Sequence, residues 1–282
     1  MIISVASGKG GTGKTTIATI LALSLGENTQ LADCDVECPN AHLFVYPEFK
    51  GEETITVPVP KVDESMCTGC GQCVEICQFN AIINIADTIM TFPELCHGCG
   101  GCRAACPAGA IEEGERTIGV IQHGLCSGME FLHGRLSIGE AMAPPLIRQV
   151  RSRINPDKTA VIDAPPGTSC PVISAVKDTD FVVLVAEPTP FGLNDLELAI
   201  ETMKILKIPA GLIINRSDIG DMGVGDYAAG ENIPVLMEIP YDRGIAEAYC
   251  RGKPLVEAFP QWRSRFAGLY EDIRELIAER TS

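Results

Sequence analysis

Two groups of residues in this chain have types and spacings that imply chemistry. The first is Gly8-Lys9-Gly10-Gly11-Thr12-Gly13-Lys14-Thr15-Thr16, which fits G-x-x-x-x-G-K-[ST]. In such a loop the glycines let backbone N–H groups wrap phosphate oxygens, and the helix that follows adds its positive dipole end. Lys14 reaches the β- and γ-phosphates of a bound ATP, and the Thr15 hydroxyl ligates Mg²⁺. The second group is eight cysteines in two runs, Cys67, Cys70, Cys73 and Cys77, then Cys96, Cys99, Cys102 and Cys106, 29 positions later. The short spacing lets three thiolates of one run converge on one metal centre. Gly69, Gly71, Gly98, Gly100 and Gly101 leave backbone N–H groups free to hydrogen-bond sulfur.

The elements around these groups have to hold them in place. Residues 1–35 read as strand, glycine loop, helix and strand: Ile2 to Ala6, the loop Gly8 to Gly13, Lys14 to Leu25, and Thr29 to Asp33. That is the opening βαβ unit of a parallel sheet, so the loop sits where the motif requires it. From about Val57-Pro58-Val59-Pro60 to Gly114 the pattern changes to short segments dense in Cys and Gly. After it, strand candidates fall at Ile118 to Ile121, Ala160 to Asp163, Phe181 to Ala186, Gly211 to Asn215 and Val235 to Ile239. Helical stretches separate them, notably 138–153, 193–206 and 259–280. Alternation of strands and helices predicts an α/β fold, a doubly wound, mostly parallel sheet with helices on both faces. The expected division is residues 1–60 and 117–282 for the nucleotide domain, interrupted by a module at 61–116 whose 29-residue repeat points to duplication of a half-module.

With Lys9 added to the motif, the loop resembles the deviant phosphate loop of the MinD/ParA/Mrp ATPases and the related nitrogenase iron-protein superfamily. The resemblance covers residues 1–45 and 118–260 and implies several further roles. Lys9 would reach across a dimer interface to the ATP of the other subunit. In Asp33-Cys34-Asp35, which matches the first switch segment, Asp35 would orient the attacking water. Asp163-Ala164-Pro165-Pro166-Gly167-Thr168 is similar to the second switch, D-x-P-P-G, placing Asp163 near the Mg²⁺ shell and Gly167 at the γ-phosphate. Asn215 matches the base-reading asparagine, and Pro240-Tyr241-Asp242 the loop that contacts adenine. Lys9, Lys14, Asp35 and Asp163 are thus the expected catalytic set, in a homodimer or a heterodimer with a related ATPase.

The cysteine runs resemble the bacterial ferredoxin pattern C-x₂-C-x₂-C-x₃-C, in which the fourth cysteine of each run crosses to the other cluster. This implies an α+β ferredoxin-type module with two 4Fe-4S clusters, one held by Cys67, Cys70, Cys73 and Cys106, the other by Cys96, Cys99, Cys102 and Cys77. The second run keeps the following proline, Pro107, whereas Gln78 follows Cys77 in the first. Zinc is the rival metal, but its sites rarely use two interlocked sets of four. His97 abuts a ligand and reads as a surface neighbour. Of the other cysteines, Cys34, Cys38 and Cys250 read as ordinary small side chains. Cys170, seven residues after Asp163, has the spacing of a cluster ligand shared between subunits in the nitrogenase iron-protein family, with Cys126 as a companion.

Composition removes other classes. Lys and Arg total 22 against 37 Asp and Glu, a formal charge of −15, which leaves no basic surface for a nucleic acid backbone. No apolar run reaches the ~18 residues of a membrane span, and the start at Met1 lacks a signal-peptide pattern, so a cytoplasmic, membrane-free protein is expected. The last helix carries Trp262, Phe266, Leu269, Ile273 and Leu276 at helical spacing. It matches the membrane-targeting tail of some MinD proteins only in position, since Glu271, Asp272, Glu275 and Glu279 line it, and it reads as a helix covering the core. Three functions compete: an ATPase coupled to electron transfer or metallocentre assembly on a client protein, a MinD-like spatial organiser, and an ATP-dependent biosynthetic enzyme such as an amidoligase relative. Only the first uses eight metal-binding cysteines.

Overall fold

Short runs of β-branched and aliphatic residues such as Ile3-Ser4-Val5-Ala6 and Phe181-Val182-Val183-Leu184-Val185-Ala186 are buried along their whole length, as strands covered on both faces must be. The computed structural model describes all of residues 1–282 except Asp87, Gly252 and Ser282, and the side chains of Ala246, Tyr249, Cys250 and Thr281 also lie outside the described set. In chain order the first elements are β1 (Ile2–Ala6), α1 (Lys14–Leu25), β2 (Thr29–Asp33), α2 (His42–Val45), β3 (Glu48–Val62), α3 (Gln72–Ile76), β4 (Ile82–Ile85), β5 (Thr88–Thr91) and α4 (Gly101–Ala105). There follow β6 (Ile111–Cys126), β7 (Met129–Leu136), α5 (Ala143–Arg151), β8 (Thr159–Asp163), α6 (Cys170–Val176), β9 (Phe181–Ala186), α7 (Pro190–Leu206), β10 (Ala210–Asn215), α8 (Gly223–Gly230), β11 (Val235–Ile239), α9 (Arg243–Cys250), α10 (Leu255–Ala258) and α11 (Gln261–Thr281).

One sheet runs β11-β10-β9-β1-β8-β2-β7-β6-β3. The strands from β11 to β7 are parallel, and β6 then pairs antiparallel with both β7 and β3. On one face Leu132, Ile162, Val182, Leu184 and Leu212 pack with α5 to α8. On the other, Val5, Leu31, Val161, Val183 and Ile213 pack with α1 and α11. Trp262, Phe266, Leu269 and Ile273 of α11 are all buried there, so this helix covers the core.

Three features differ from the sequence expectation. The helix expected from 138 begins at Ala143, because Pro144 and Pro145 lack N–H donors and fit only a first turn. Strand β7 went unread, its apolar signal broken by Glu130, His133 and Arg135. Strand β3 also went unread, and Val57 to Pro60, taken as the start of a new module, are paired within it to Gly114–Arg116 and Glu113 of β6. The boundaries at 60/61 and 116/117 therefore fall inside two long strands that leave the central sheet side by side and carry residues 63–110 between their ends.

Within that segment the sequence repeat is also a backbone repeat. Helices α3 and α4 lie 29 positions apart, each preceded by a glycine in the left-handed region, Gly71 at φ 77° and Gly100 at φ 71°, a conformation a side chain would strain. Each helix ends on a cysteine with the same geometry, Cys77 at φ −77°, ψ 107° and Cys106 at φ −79°, ψ 108°.

Candidate nucleotide site and cysteine cavities

Because β1, β2, β8, β9 and β10 run parallel, their C-terminal ends share one edge, and there the chain assembles the phosphate loop with Asp33, Asp163, Glu187 and Asn215. The loop follows β1 and opens α1, packed so closely on α7 that a side chain at Gly8 would collide with the Asp195 carbonyl at 2.2 Å. Gly10 and Gly11 have nothing within 4 Å of an added Cβ among the described residues, so this stretch of loop is open. A cavity of about 530 Å³ lies over it, lined among others by Gly10, Gly11, Gly13, Lys14, Thr15, Thr16, Asp35 and Asn40 on one side and Asn215, Pro240, Tyr241, Asp242 and Trp262 on the other. That is ample for a mononucleotide.

Lys14 Nζ donates to Asp163 Oδ1 at 2.9 Å, a pair with almost no exposure. The other oxygen, Asp163 Oδ2, has no hydrogen-bond partner among the described residues, and neither have Thr12 Oγ1 and Asn40 Oδ1. Of these, Asn40 lines the cavity, and its open oxygen fits a bound polar ligand; the Asp163 carboxyl and the Thr15 hydroxyl are hard oxygen donors of the kind a bound Mg²⁺ would take. Asp35 lines the cavity. Burial pushes its carboxyl up to about 6, with Lys14 opposing and Asp163 adding to the rise. Asp33 is fully buried, and burial followed by the Asp163 charge pushes it up to about 8, against N–H donation from Ala41 and Asp35.

The other expected residues fall as follows. Gly167, at φ 94°, donates its N–H to the Ser7 carbonyl at 2.9 Å and so ties the second switch to the loop. Asn215 Nδ2 donates to the Thr12 carbonyl at 2.7 Å, and its Oδ1 accepts from the Arg216 N–H, so here the amide braces the loop as well as lining the cavity. Lys9 Nζ lies 3.7 Å from Glu187 Oε2, and Arg216 Nη1 donates to Glu187 Oε1 at 2.7 Å. Sequence reasoning missed Asn40, Glu187, Arg216 and Trp262, which sit in no motif and meet the loop only through the fold. It named Asp33 without giving it a role.

The cysteines gather in two cavities. One is lined by Cys67, Cys70, Cys73 and Cys106 with Val62, Ile89 and Ile111. The other, of about 280 Å³, is lined by Cys77, Cys96, Cys99 and Cys102 with Pro58, Val59 and Phe79. Each holds three cysteines of one run and the last cysteine of the other. Burial raises the Cys73 thiol, with Cys106 and Cys67 adding to the rise, and burial raises Cys102 with Cys96 and Cys99 adding. The N–H groups of Gly98 and Ala110 donate to Cys96 Sγ and Cys106 Sγ at 3.4 and 3.3 Å. Among the described residues no group of three or more His, Cys, Asp or Glu side chains is placed to hold a metal ion. His97 stacks on Phe79, ring centroids 3.7 Å apart, at the rim of the second cavity.

The pairing of Cys126 with Cys170 does not form within the chain. Cys126 faces Met129 at the N-terminal edge of the sheet and donates to the Val45 carbonyl, while Cys170 opens α6 just beyond the C-terminal end of β8. Cys34 is buried, its thiol raised chiefly by burial; Cys38 is exposed, and the Cys250 side chain lies outside the described residues. No helix among the described residues is long and apolar enough to cross a membrane.

A mostly parallel sheet with a G-x-x-x-x-G-K-T loop at its C-terminal edge, carboxylates at the ends of the neighbouring strands and a nucleotide-sized cavity defines a P-loop ATPase. Residues 3–255 match the CobQ/CobB/MinD/ParA nucleotide binding domain, and the chain belongs to that family as an ATP-binding, MinD/ParA-like ATPase. It is similar to the uncharacterized protein MJ0578 of Methanocaldococcus jannaschii, with 31% identity over 284 residues covering 98% of each chain. It is also similar to the uncharacterized ATP-binding protein MJ0547 of that organism, 25% identical over 92% of this chain and 81% of that one. Among solved structures, the septum site-determining protein MinD of Pyrococcus horikoshii in complex with Mg-ADP has the same fold, with a TM-score of 0.61 at 21% identity over 98% of this chain and 96% of that one.

Proposed function

We propose that this ATPase couples a nucleotide-driven switch to two 4Fe-4S clusters, and that it serves electron transfer to, or metallocentre assembly on, a client protein. The observation that carries this reading is the composition of the two cysteine cavities, each three thiols from one run and one from the other, at the end of two strands rooted in the ATPase sheet. The first cluster would be held by Cys67, Cys70, Cys73 and Cys106, the second by Cys77, Cys96, Cys99 and Cys102, in a ferredoxin-type module. Bound clusters would supply one-electron carriers of low potential.

The chain's own residues perform the ATPase part. Lys14 and the loop N–H groups hold the phosphates, Thr15 and Asp163 would hold a Mg²⁺ that neutralises phosphate charge, and Asp35 orients the attacking water. Gly167, through its bond to Ser7, relays the state of the loop to the second switch. Lys9 is held 3.7 Å from Glu187 at a part-exposed position, from which it can leave for a second subunit's nucleotide in a dimer. An organiser that binds membranes through its last helix is disfavoured, because the apolar face of α11 is spent on the core.

Metal analysis tests the reading directly. Anaerobically purified protein should carry about eight irons and eight labile sulfides per chain, as two such clusters require; stoichiometric zinc with little iron would refute it. ATP-dependent reduction of a partner at low potential, set beside ATP-dependent transfer of labelled iron to an apo-protein, separates the two client roles.

A further inference from the structure

Asp33 ends β2 directly before the first switch segment, and its side chain is completely buried. Both of its oxygens are occupied by backbone groups of that segment. The Asp35 N–H donates to Oδ1 at 3.0 Å, and the N–H groups of Asn40 and Ala41 donate to Oδ2 at 3.0 Å each. One carboxylate thus clasps the start and the end of the loop that runs from Cys34 to Ala41. Within it a further turn closes, the Cys38 N–H donating to the Asp35 carbonyl. The two residues whose amides Asp33 holds and whose side chains line the nucleotide cavity are Asp35 and Asn40, and Asn40 Oδ1 finds no partner among the described residues.

The contrast with Asp163 is informative. Asp163 also ends a strand and is equally buried, and the two face each other in register across β2 and β8. Its Oδ1 accepts from Lys14, but its Oδ2 is open, so it keeps a lone pair for a ligand, whereas Asp33 has given three acceptor sites to the switch backbone. We propose that Asp33 is the positioning residue of ATP hydrolysis: its side-chain oxygens fix the first switch segment so that Asp35 and Asn40 point at the phosphates. A 1 Å misplacement of a catalytic group can lower a rate by ~100-fold. The proposal rests on the reading of Asp35 as the water-orienting residue.

Asp33→Asn keeps the shape but turns an N–H₂ against at least one of the three donors. The expected result is a fall in kcat of tenfold or more, with affinity for a fluorescent ADP and the Mg²⁺ concentration for half-maximal activity unchanged within twofold. Because Asp33 acts through Asp35 and Asn40, the loss in the double variant Asp33→Asn/Asp35→Ala should be well below the product of the two single losses. Wild-type turnover in Asp33→Asn, additive losses in the double variant, or a shifted Mg²⁺ requirement would each overturn the proposal. Normal turnover in Asp35→Ala would instead sink the reading of Asp35. Should Asp33→Asn fail to fold, hydrogen exchange on the full wild-type chain still decides: the Asp35, Asn40 and Ala41 amides must be protected, and rapid exchange at all three refutes the clasp.

Discussion

Lys14, which lines the cavity, and Asp163 behind it are a buried ion pair, so removing either partner leaves a charge without solvent or counter-ion. Breaking such a pair destabilises by about 3–5 kcal/mol. Lys14→Ala should therefore abolish binding of a fluorescent ATP analogue and also lower the thermal midpoint. Lys9→Ala, which loses the pair with the part-exposed Glu187, should bind normally and lose the portion of turnover that rises with protein concentration. Concentration-independent turnover in the wild type would remove Lys9 from a dimer role. A second buried charge question is set by His133. Its Nε2 lies 2.7 Å from Gln122 Oε1, its Nδ1 has no partner among the described residues, and His42 packs against it edge-on. Burial, then His42 and Arg135, pull its pKa from 6.5 down to about 4. The folded chain keeps this ring neutral while the unfolded chain protonates it near 6.5, so stability is full above that value and falls as pH drops toward 4. At ~1.4 kcal/mol per pKa unit the loss is on the order of 3 kcal/mol. Urea unfolding at pH 7.5 and 4.5 should show a smaller pH dependence in His133→Phe than in the wild type, and equal slopes would contradict the assignment.

At the scale of elements, the repeat of α3 and α4 makes a prediction that the linear order of the cysteines does not. Cys77 follows α3 in the first run, yet it lines the cavity of Cys96, Cys99 and Cys102. Cys77→Ser should therefore perturb the EPR signal of the centre held by the second run and spare the other; selective loss of the first centre would show that ligation is not crossed. The parts legible in the sequence were those whose signal is local: the loop needs its glycines next to Lys14, and a strand covered on both faces is a run of aliphatics. What was not legible depends on partners distant in the chain. Strand β3 carries Lys50, Glu52, Glu53, Pro58 and Pro60 because it is the edge of the sheet, where prolines and charges guard against further pairing. It reads as a strand only once β6 is beside it. Asn40 and Glu187 enter the site through the parallel register of four strands, and no spacing rule could have joined them to Lys14. Asp33 lay in full view beside Asp35, but which of two neighbouring carboxylates faces the cavity and which faces the backbone is decided by the turn that follows.

Taken as a whole, the molecule joins its nucleotide cavity to its cysteine segment by one continuous stretch of chain. The first switch segment ends at Ala41, α2 starts at the next residue, and β3 begins three residues after α2 and runs out to the cysteine segment. Phe49 near the start of β3 packs against Phe131 and His133 of β7, and His42 of α2 packs against the same His133, so α2 and β3 share one aromatic contact at the root of the two strands. A movement of the switch on nucleotide binding must then either be absorbed at Tyr46-Pro47 or passed into β3. On the reading proposed above, the second outcome makes the clusters sense the nucleotide. Linkage is reciprocal, so a change in cluster potential on ATP binding requires an equal free-energy change in ATP affinity on reduction. Couplings between sites are usually about 1–3 kcal/mol, and for a one-electron couple a tenfold affinity change corresponds to roughly 59 mV. Potentiometric titration followed by EPR, with and without a non-hydrolysable ATP analogue, should show a shift of several tens of millivolts, and ATP-analogue affinity measured on reduced and oxidised protein should differ by the matching factor. His133→Phe, which keeps a ring between Phe49 and His42, should retain most of the shift, while Phe49→Ala should diminish it. Superimposable titrations in the wild type would mean that the cysteine segment is a docking platform carried by the ATPase and not a centre gated by it.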